Sequence, residues 1–378
     1  MKILYHHRIA SKDGQYVHVE EIINALKAQG HEIILVAPEM TKNASFGSDG
    51  GWMSKLRSSL PKAISELLEF CYSFLSFYQL CRAIIEHKPD CIYERYNLYL
   101  PSGIWAKKLF KKTLLLEVNS PLYDERKKYG GVSLDWLAKW SEYYVWRNAD
   151  HVLPVTEVLS KFIQNAGVDK EKITVIPNGI DLTRFNSLPK NDRLAQFKDK
   201  LVIGFVGFCR EWHHLDKIMA LIASQNNDNI MFLVVGDGPV SDSLKQQAKA
   251  LNMQDNFHIT GLVERDDMPF WLEQIDIALQ PAVTPWASPL KMIEYMATGK
   301  AIIAPNTDNI RELLSHNSNA VLFDNDEEVL SNLNNLIQDE QLRTRLKQAA
   351  IDSIERQGLT WQHNAERIVS LFQNNAKG

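Results

Sequence analysis

The sequence lacks a long hydrophobic run. Its longest uncharged apolar stretch, Phe70 to Cys81, falls well short of the roughly 20 residues that cross a bilayer. The opening Met1-Lys2-Ile3-Leu4-Tyr5 has no apolar core of a signal peptide. Four cysteines, Cys71, Cys81, Cys91 and Cys209, form no Cys-x-x-Cys pair and no metal-ligand spacing. They read as buried thiols of a reducing, cytoplasmic compartment. The net charge is only −4, so nothing drives the whole chain toward nucleic acid. There is no internal repeat and no low-complexity tract.

The charge is uneven. Residues 1–180 carry 23 Lys and Arg against 20 Asp and Glu, and the remainder 19 against 26. The first half is therefore the side expected to meet something anionic, a membrane surface rather than nucleic acid. Lys55, Arg57 and Lys62 precede an aromatic-rich helix expected over 63–86. Lys107, Lys108, Lys111 and Lys112 form a second cluster. On that helix Leu67, Cys71, Phe74, Tyr78, Cys81 and Ile85 share one face. Such a face either packs into the core, leaving the lysines solvated, or lies on an anionic bilayer surface.

With 378 residues the chain is long enough for two domains. Short apolar strands alternate with helical stretches. Strands are expected at Ile3–Tyr5, Ile33–Ala37, Cys91–Tyr93, Thr113–Leu116, His151–Val155 and Ile173–Ile176. A second set follows at Leu201–Val206, Ile230–Val235, Phe257–Ile259, Ile277–Leu279, Ala301–Ala304 and Ala320–Phe323. All-apolar strands between helices indicate parallel sheets covered on both faces. The pattern breaks at Pro177-Asn178-Gly179 and Pro189-Lys190-Asn191-Asp192. The expectation is two Rossmann-like domains, 1–180 and 181–360, with helix 361–378 returning to the first. Ligands of such sheets bind beyond the carboxyl ends of the strands.

The most informative segment runs from Trp286 to Ala304. Ser288 is placed to cap a helix with Pro289 in its first position. The amides of Leu290 and Lys291 would then point at a phosphate, drawn by the positive helix end and the Lys291 charge. Glu294, one turn beyond Leu290, can accept hydrogen bonds from two vicinal hydroxyls, as on a ribose.

This segment resembles the donor-binding signature of family 4 of the GT-B glycosyltransferases, in its Ser-Pro-Leu-Lys-x-x-Glu-Tyr-Met-Ala-x-Gly variant. Trp286 stands where the family's first Glu contacts the transferred sugar. Val175-Ile-Pro-Asn-Gly-Ile-Asp181 resembles the interdomain turn. Phe205-Val-Gly-Phe-Cys-Arg-Glu-Trp-His-His214 resembles the diphosphate clamp, with Gly207 in its turn, Arg210 supplying a guanidinium and His213 in the usual Lys position. Val234-Val-Gly-Asp-Gly-Pro239 matches a strand-end turn. Ile259-Thr-Gly-Leu-Val263 is similar to the stretch that reads the nucleotide base.

In the first half, Asp13-Gly14-Gln15 keeps one glycine of the family's pair beside the donor. Asn119 replaces the common His near the anomeric carbon. Tyr93-Glu-Arg-Tyr96 adds Glu94 and Arg95, either as site groups or as an ion pair with each other.

The resemblance implies an α/β GT-B fold with two parallel sheets facing across a cleft. It implies a retaining transfer from a nucleoside-diphosphate sugar, UDP-linked sugars being common, to a hydroxyl of a glycan, glycolipid or small molecule. Surface polysaccharide or glycoconjugate synthesis at the inner face of a membrane is the expected setting, with no metal and no cofactor. Arg210, His213 and Asn119 would act at the reacting centre; an amide at 119 orients the sugar and cannot act as a base. Two other readings stand beside it: a non-hydrolysing sugar-nucleotide epimerase, and a non-catalytic nucleotide-binding partner of a transferase.

Overall fold

The computed structural model describes residues 1–9, 14–38, 60–186 and 193–375. Asp13, Lys55, Arg57 and the 189–192 segment lie outside the described residues. The chain forms two compact units. The first comprises 1–178, 286–288 and 361–378; the second comprises 179–285 and 289–360.

The first unit is built on a five-stranded sheet of order β2-β1-β3-β4-β5. The strands are β1 (Lys2–His6), β2 (Glu32–Val36), β3 (Cys91–Arg95), β4 (Thr113–Val118) and β5 (His151–Pro154). All pairs are parallel, with Tyr5 opposite Tyr93 and Tyr93 opposite Leu115. Parallel strands buried on both faces need apolar side chains pointing both ways, and Leu114, Leu115 and Leu116 are all fully buried. Each such residue contributes about 1.5–3 kcal/mol of burial. The Trp361–Asn375 helix belongs to this unit, with Trp361 edge-on to His18 at 5.0 Å.

Ile173–Ile176, expected as a sixth strand, is not one. Ile173 makes only an isolated bridge to Val152. The Thr174 amide donates to Val152 O at 3.1 Å and the Ile176 amide to Pro154 O at 2.9 Å. Pro154 has no N–H to return, so the ladder cannot propagate along this edge.

The second unit holds a six-stranded parallel sheet of order β11-β10-β9-β6-β7-β8. Its strands are β6 (Leu201–Val206), β7 (Ile230–Val235), β8 (Phe257–Ile259), β9 (Ile277–Leu279), β10 (Ala301–Pro305) and β11 (Val321–Phe323). Two apolar clusters sandwich this sheet, one containing Met292, Tyr295 and Ile354, the other Met219, Phe232 and Leu333. Strand order reverses between β6 and β9. At such a switch point the flanking loops leave in opposite directions and open a crevice at the strand ends.

Candidate functional site

In the second unit, β6 runs into Gly207 at φ 129°, a conformation that favours glycine. A Cβ at Gly236, after β7, would lie 2.2 Å from Gly207 O; one at Gly238 would lie 2.1 Å from Cys209 O. The two strand-end loops therefore stack backbone on backbone, tied by the Cys209 amide to Asp237 O at 2.8 Å. The Ile259–Val263 stretch is attached to the same edge: the Gly236 amide donates to Thr260 Oγ1 at 3.1 Å. Val263 at its end is half-buried against the core.

The helix Leu290–Ala297 is fastened to the end of β6. Tyr295 Oη accepts the Val206 amide at 3.0 Å, and Lys291 Nζ donates to Val206 O at 2.9 Å. The Lys291 ammonium also sits 4.5 Å over the Phe205 ring and 3.3 Å from where a Gly207 Cβ would be. Burial lowers the Lys291 pKa to about 8, opposed in part by Cys209 and Glu294. The helix starts at Leu290, so the amides of Leu290 and Lys291 have no intrahelical acceptor. Glu294 is half-buried on the next turn.

One expectation is corrected here. Ser288 does not cap this helix: the residue before it is Pro289, and no side chain accepts from the first turn. Ser288 belongs to the first unit, where its Oγ accepts the Asn178 amide at 3.1 Å. A hydroxyl so engaged is not available as a cap. His213 ends the short turn Glu211–His213. Its Nδ1 accepts the Arg210 amide at 3.1 Å, which leaves the proton on Nε2. Its ring packs 4.0 Å from Trp212 and 4.7 Å from Phe205. Burial, then the Lys291 and Arg210 charges, lower its pKa to about 3, so it is neutral near pH 7. Arg210 is exposed, its guanidinium 4.9 Å over Phe208. The structure thus brings Gly207, Lys291, His213 and the Leu290 amide turn to one strand end.

The sequence has one Asp-x-Asp, at Asp324-Asn325-Asp326. It is spent structurally. Asn325 caps the Asp326–Gln338 helix, Asp324 accepts from Asn306 Nδ2 at 2.9 Å, and Asp326 pairs with Lys217.

In the first unit, Gly14 opens the helix Gly14–Ala28. Asn119 follows β4 and donates through Nδ2 to Glu117 Oε1. Glu117 is the hub of a buried network. Arg95 Nη1 donates to its Oε1 at 2.6 Å, Tyr93 Oη donates to its Oε2 at 2.9 Å, and His18 Nε2 lies 3.0 Å from Oε1. Burial raises the Glu117 pKa, but His18, Arg95 and the Asn119 hydrogen bond outweigh it and hold the carboxyl far below its usual range. Glu94 and Arg95 do not pair with each other: Glu94 Oε2 lies 2.7 Å from His6 Nδ1 instead. The cause is the strand period, which sends neighbouring side chains to opposite faces.

His18, Glu117 and Asn178 were not singled out as site residues from sequence. A lone acid closing the apolar run Leu114-Leu115-Leu116 was the available signal, because a buried carboxylate requires partners. Asn178 Oδ1 lies 2.6 Å from His18 Nδ1, so the Pro-Asn-Gly turn is wired to this hub.

The chain is similar to known glycosyltransferases. Residues 12–184 match the model for Glycosyltransferase Family 4, and residues 189–353 the model for Glycosyl transferases group 1. An uncharacterized glycosyltransferase of Methanocaldococcus jannaschii is 21% identical, covering 95% of this chain and 94% of its own. The alpha-monoglucosyldiacylglycerol synthase of Streptococcus pneumoniae is 26% identical over 47% of this chain and 42% of its own. The Anabaena protein HepE in complex with UDP superposes at TM-score 0.74 and 17% identity, over 99% of this chain and 100% of that one. Its complex with UDP-glucose gives 0.71. The two family matches, laid end to end, run through both parallel-sheet units, and the chain is a glycosyltransferase of the GT-B fold.

Proposed function

We propose that this chain transfers a glycosyl group, with retention, from a nucleoside-diphosphate sugar to a hydroxyl of a glycan or lipid-linked acceptor. The observation that carries the reading is the second-unit strand end, where Lys291 and the free amides of Leu290 and Lys291 adjoin the Gly207 turn. That combination suits a diphosphate. Glu294 lies one turn on, half-buried, where its carboxylate can accept from a ribose diol. The UDP and UDP-glucose complexes of HepE support UDP as the nucleotide. The diacylglycerol acceptor in the name of the pneumococcal relative supports a lipid-linked acceptor.

The reaction breaks the bond between the anomeric carbon and the leaving phosphate oxygen. It forms a bond to the acceptor oxygen on the same face, and the acceptor proton passes to the leaving phosphate. Arg210 and Lys291 supply positive charge to the departing diphosphate, the task a metal performs elsewhere, so no metal or cofactor is required. His213, neutral, can donate a hydrogen bond through Nε2. Asn119, oriented by Glu117, contacts the sugar and does not act as a base. The setting is the cytoplasmic face of a membrane, in surface polysaccharide or glycoconjugate synthesis.

A thermal-shift screen over UDP-, GDP-, ADP- and CMP-sugars tests the donor. Stabilisation by UDP-sugars alone is expected. Arg210→Ala should lower kcat about 10–100-fold with little change in nucleotide affinity. Conversion of the donor to an epimer without acceptor would replace this reading with an epimerase. Nucleotide binding without turnover on any acceptor would leave a non-catalytic partner.

A further inference from the structure

In the second unit, His213 is buried against Phe205 while Arg210, Glu211, Trp212 and His214 around it are exposed. His214 then leads into the helix Leu215–Ser224 with φ 49°, a left-handed conformation uncommon for a residue other than glycine. Between this helix start and the helix Ser241–Ala250 lies a groove of about 680 Å³. That volume is in the range of ligand sites and leaves room for more than one sugar ring. Its walls include Arg210, Glu211, Trp212, His214, Asp216 and Gln247. Gly207, Lys291 and Glu294 are not among its lining residues, so it is distinct from the strand end that suits the diphosphate.

The polar groups of this groove are uncommitted. Among the described residues, the Glu211 and Asp216 carboxylates and the His214 ring make no hydrogen bond or ion pair within the chain. Gln247 Nε2 donates to Asp216 O at 2.9 Å, which fixes the amide and leaves Oε1 free to accept. The Trp212 ring has His213 4.0 Å away on one side and is still 47% exposed, so its other face is open. Buried Leu215 and Leu244 complete the lining.

We propose that this groove binds a neutral oligosaccharide and, resting on the transfer reading above, that this oligosaccharide is the sugar chain of the acceptor. A sugar ring has an apolar C–H face and a rim of hydroxyls. The open face of Trp212 receives the first. Each hydroxyl both donates and accepts, so it needs acceptors and donors side by side. Glu211, Asp216 and Gln247 Oε1 are the acceptors and the Arg210 guanidinium is the donor. Charge sets the class of sugar: two carboxylates against one guanidinium disfavour a phosphate or a uronate. An apolar partner helix would bury both carboxylates unpaired, which is costly. Among the described residues no group of three His, Cys, Asp or Glu is placed to hold a metal ion, so these acids are not a cation site. An acceptor held this way carries several sugars and is not a bare lipid.

Ligand-observed NMR titration of the full chain without donor tests it, using maltotriose, cellotriose, mannotriose and chitotriose, each against its own monosaccharide. At least one trisaccharide should bind about tenfold tighter than its monosaccharide. That affinity should stay level from roughly 0.05 to 0.5 M salt, because a neutral ligand is not screened. Ser243→Trp fills the groove from the helix Ser241–Ala250 and should abolish binding while UDP affinity stays at the wild-type value. Asp216→Asn should weaken binding about tenfold and Gln247→Ala about threefold. The proposal is overturned if no trisaccharide binds more tightly than its monosaccharide, or if Ser243→Trp binds as the wild type does. It is also overturned if only an acidic probe, a heparin tetrasaccharide, binds and salt removes it. UDP titration of the same protein separates the two readings. UDP binding without trisaccharide binding sinks this proposal alone, and trisaccharide binding without UDP binding sinks the transfer reading alone.

Discussion

Asn178 holds Ser288 at two points. Its backbone amide donates to Ser288 Oγ at 3.1 Å, and its Nδ2 donates to the Ser288 carbonyl. Its Oδ1 is taken by His18 Nδ1. Asn178→Ala leaves the Ser288 carbonyl and His18 Nδ1 without these partners. The expected cost is about 2–4 kcal/mol, read as a lowered midpoint in urea denaturation. Asn178→Asp should cost nearly as much, because the carboxylate cannot donate to the Ser288 carbonyl.

Lys291 sets a pH dependence for donor binding. Its ammonium is already depressed to about 8 without ligand. A bound diphosphate favours the charged form and raises that value. Affinity for UDP should therefore be level from neutral pH up to about 8, then fall up to about tenfold per pH unit above it. Proton uptake on binding, measured by calorimetry in buffers of different ionisation enthalpy, should appear in the same window. Lys291→Met should weaken binding and remove the fall above pH 8.

Two buried carboxyls of the first unit should respond to pH in opposite senses. Burial raises Glu142 to about 8, outweighing the hydrogen bonds donated by the Tyr123 amide, Tyr96 Oη and the Leu122 amide. An acid whose folded pKa exceeds its unfolded value of about 4.3 loses stability as pH rises between the two. Glu142→Gln should flatten that slope and be neutral or stabilising at pH 8. Glu117 is the reverse case, with a folded pKa far below the unfolded one. Its contribution is present above about pH 4.3 and lost as pH falls below it. Glu117→Gln should cost about 3–5 kcal/mol at neutral pH by stranding Arg95, and that cost should shrink in acid. Urea denaturation of the three proteins across pH measures both effects.

Gly236 tests the backbone stacking beside the candidate donor site. A methyl group there would sit 2.2 Å from Gly207 O, at a φ of 139°. Gly236→Ala should destabilise the second unit by more than about 2 kcal/mol and weaken UDP binding through displacement of the Gly207 turn. Gly30→Ala is the control. It too has positive φ, but nothing lies within 4 Å of an added Cβ, so it should show backbone strain alone and leave UDP affinity unchanged.

Eleven strands of the two sheets were legible as short apolar runs between helical stretches, because a strand buried on both faces must be apolar throughout. The positions of Gly207, Lys291 and Glu294 followed from a local motif, since a glycine turn and a helix start are set by their own few residues. Which way the 62–87 helix turns its apolar stripe was not legible. Periodicity identifies a face but not its neighbour; here the core side is chosen by His6 and by the amides of Ser133 and Leu134, which claim Ser76 and Glu66. The Ile173–Ile176 run read as a strand, yet its pairing depended on an N–H that Pro154, a residue of another segment, does not have. Ser288 read as a helix cap for the same reason: its neighbours permit one, and only the fold brings Asn178 to take the hydroxyl first. The sequence by itself determined the eleven strands and the two-domain α/β class. Tertiary structure decided every partner at long range, because a buried polar group bonds to whichever complement the fold delivers.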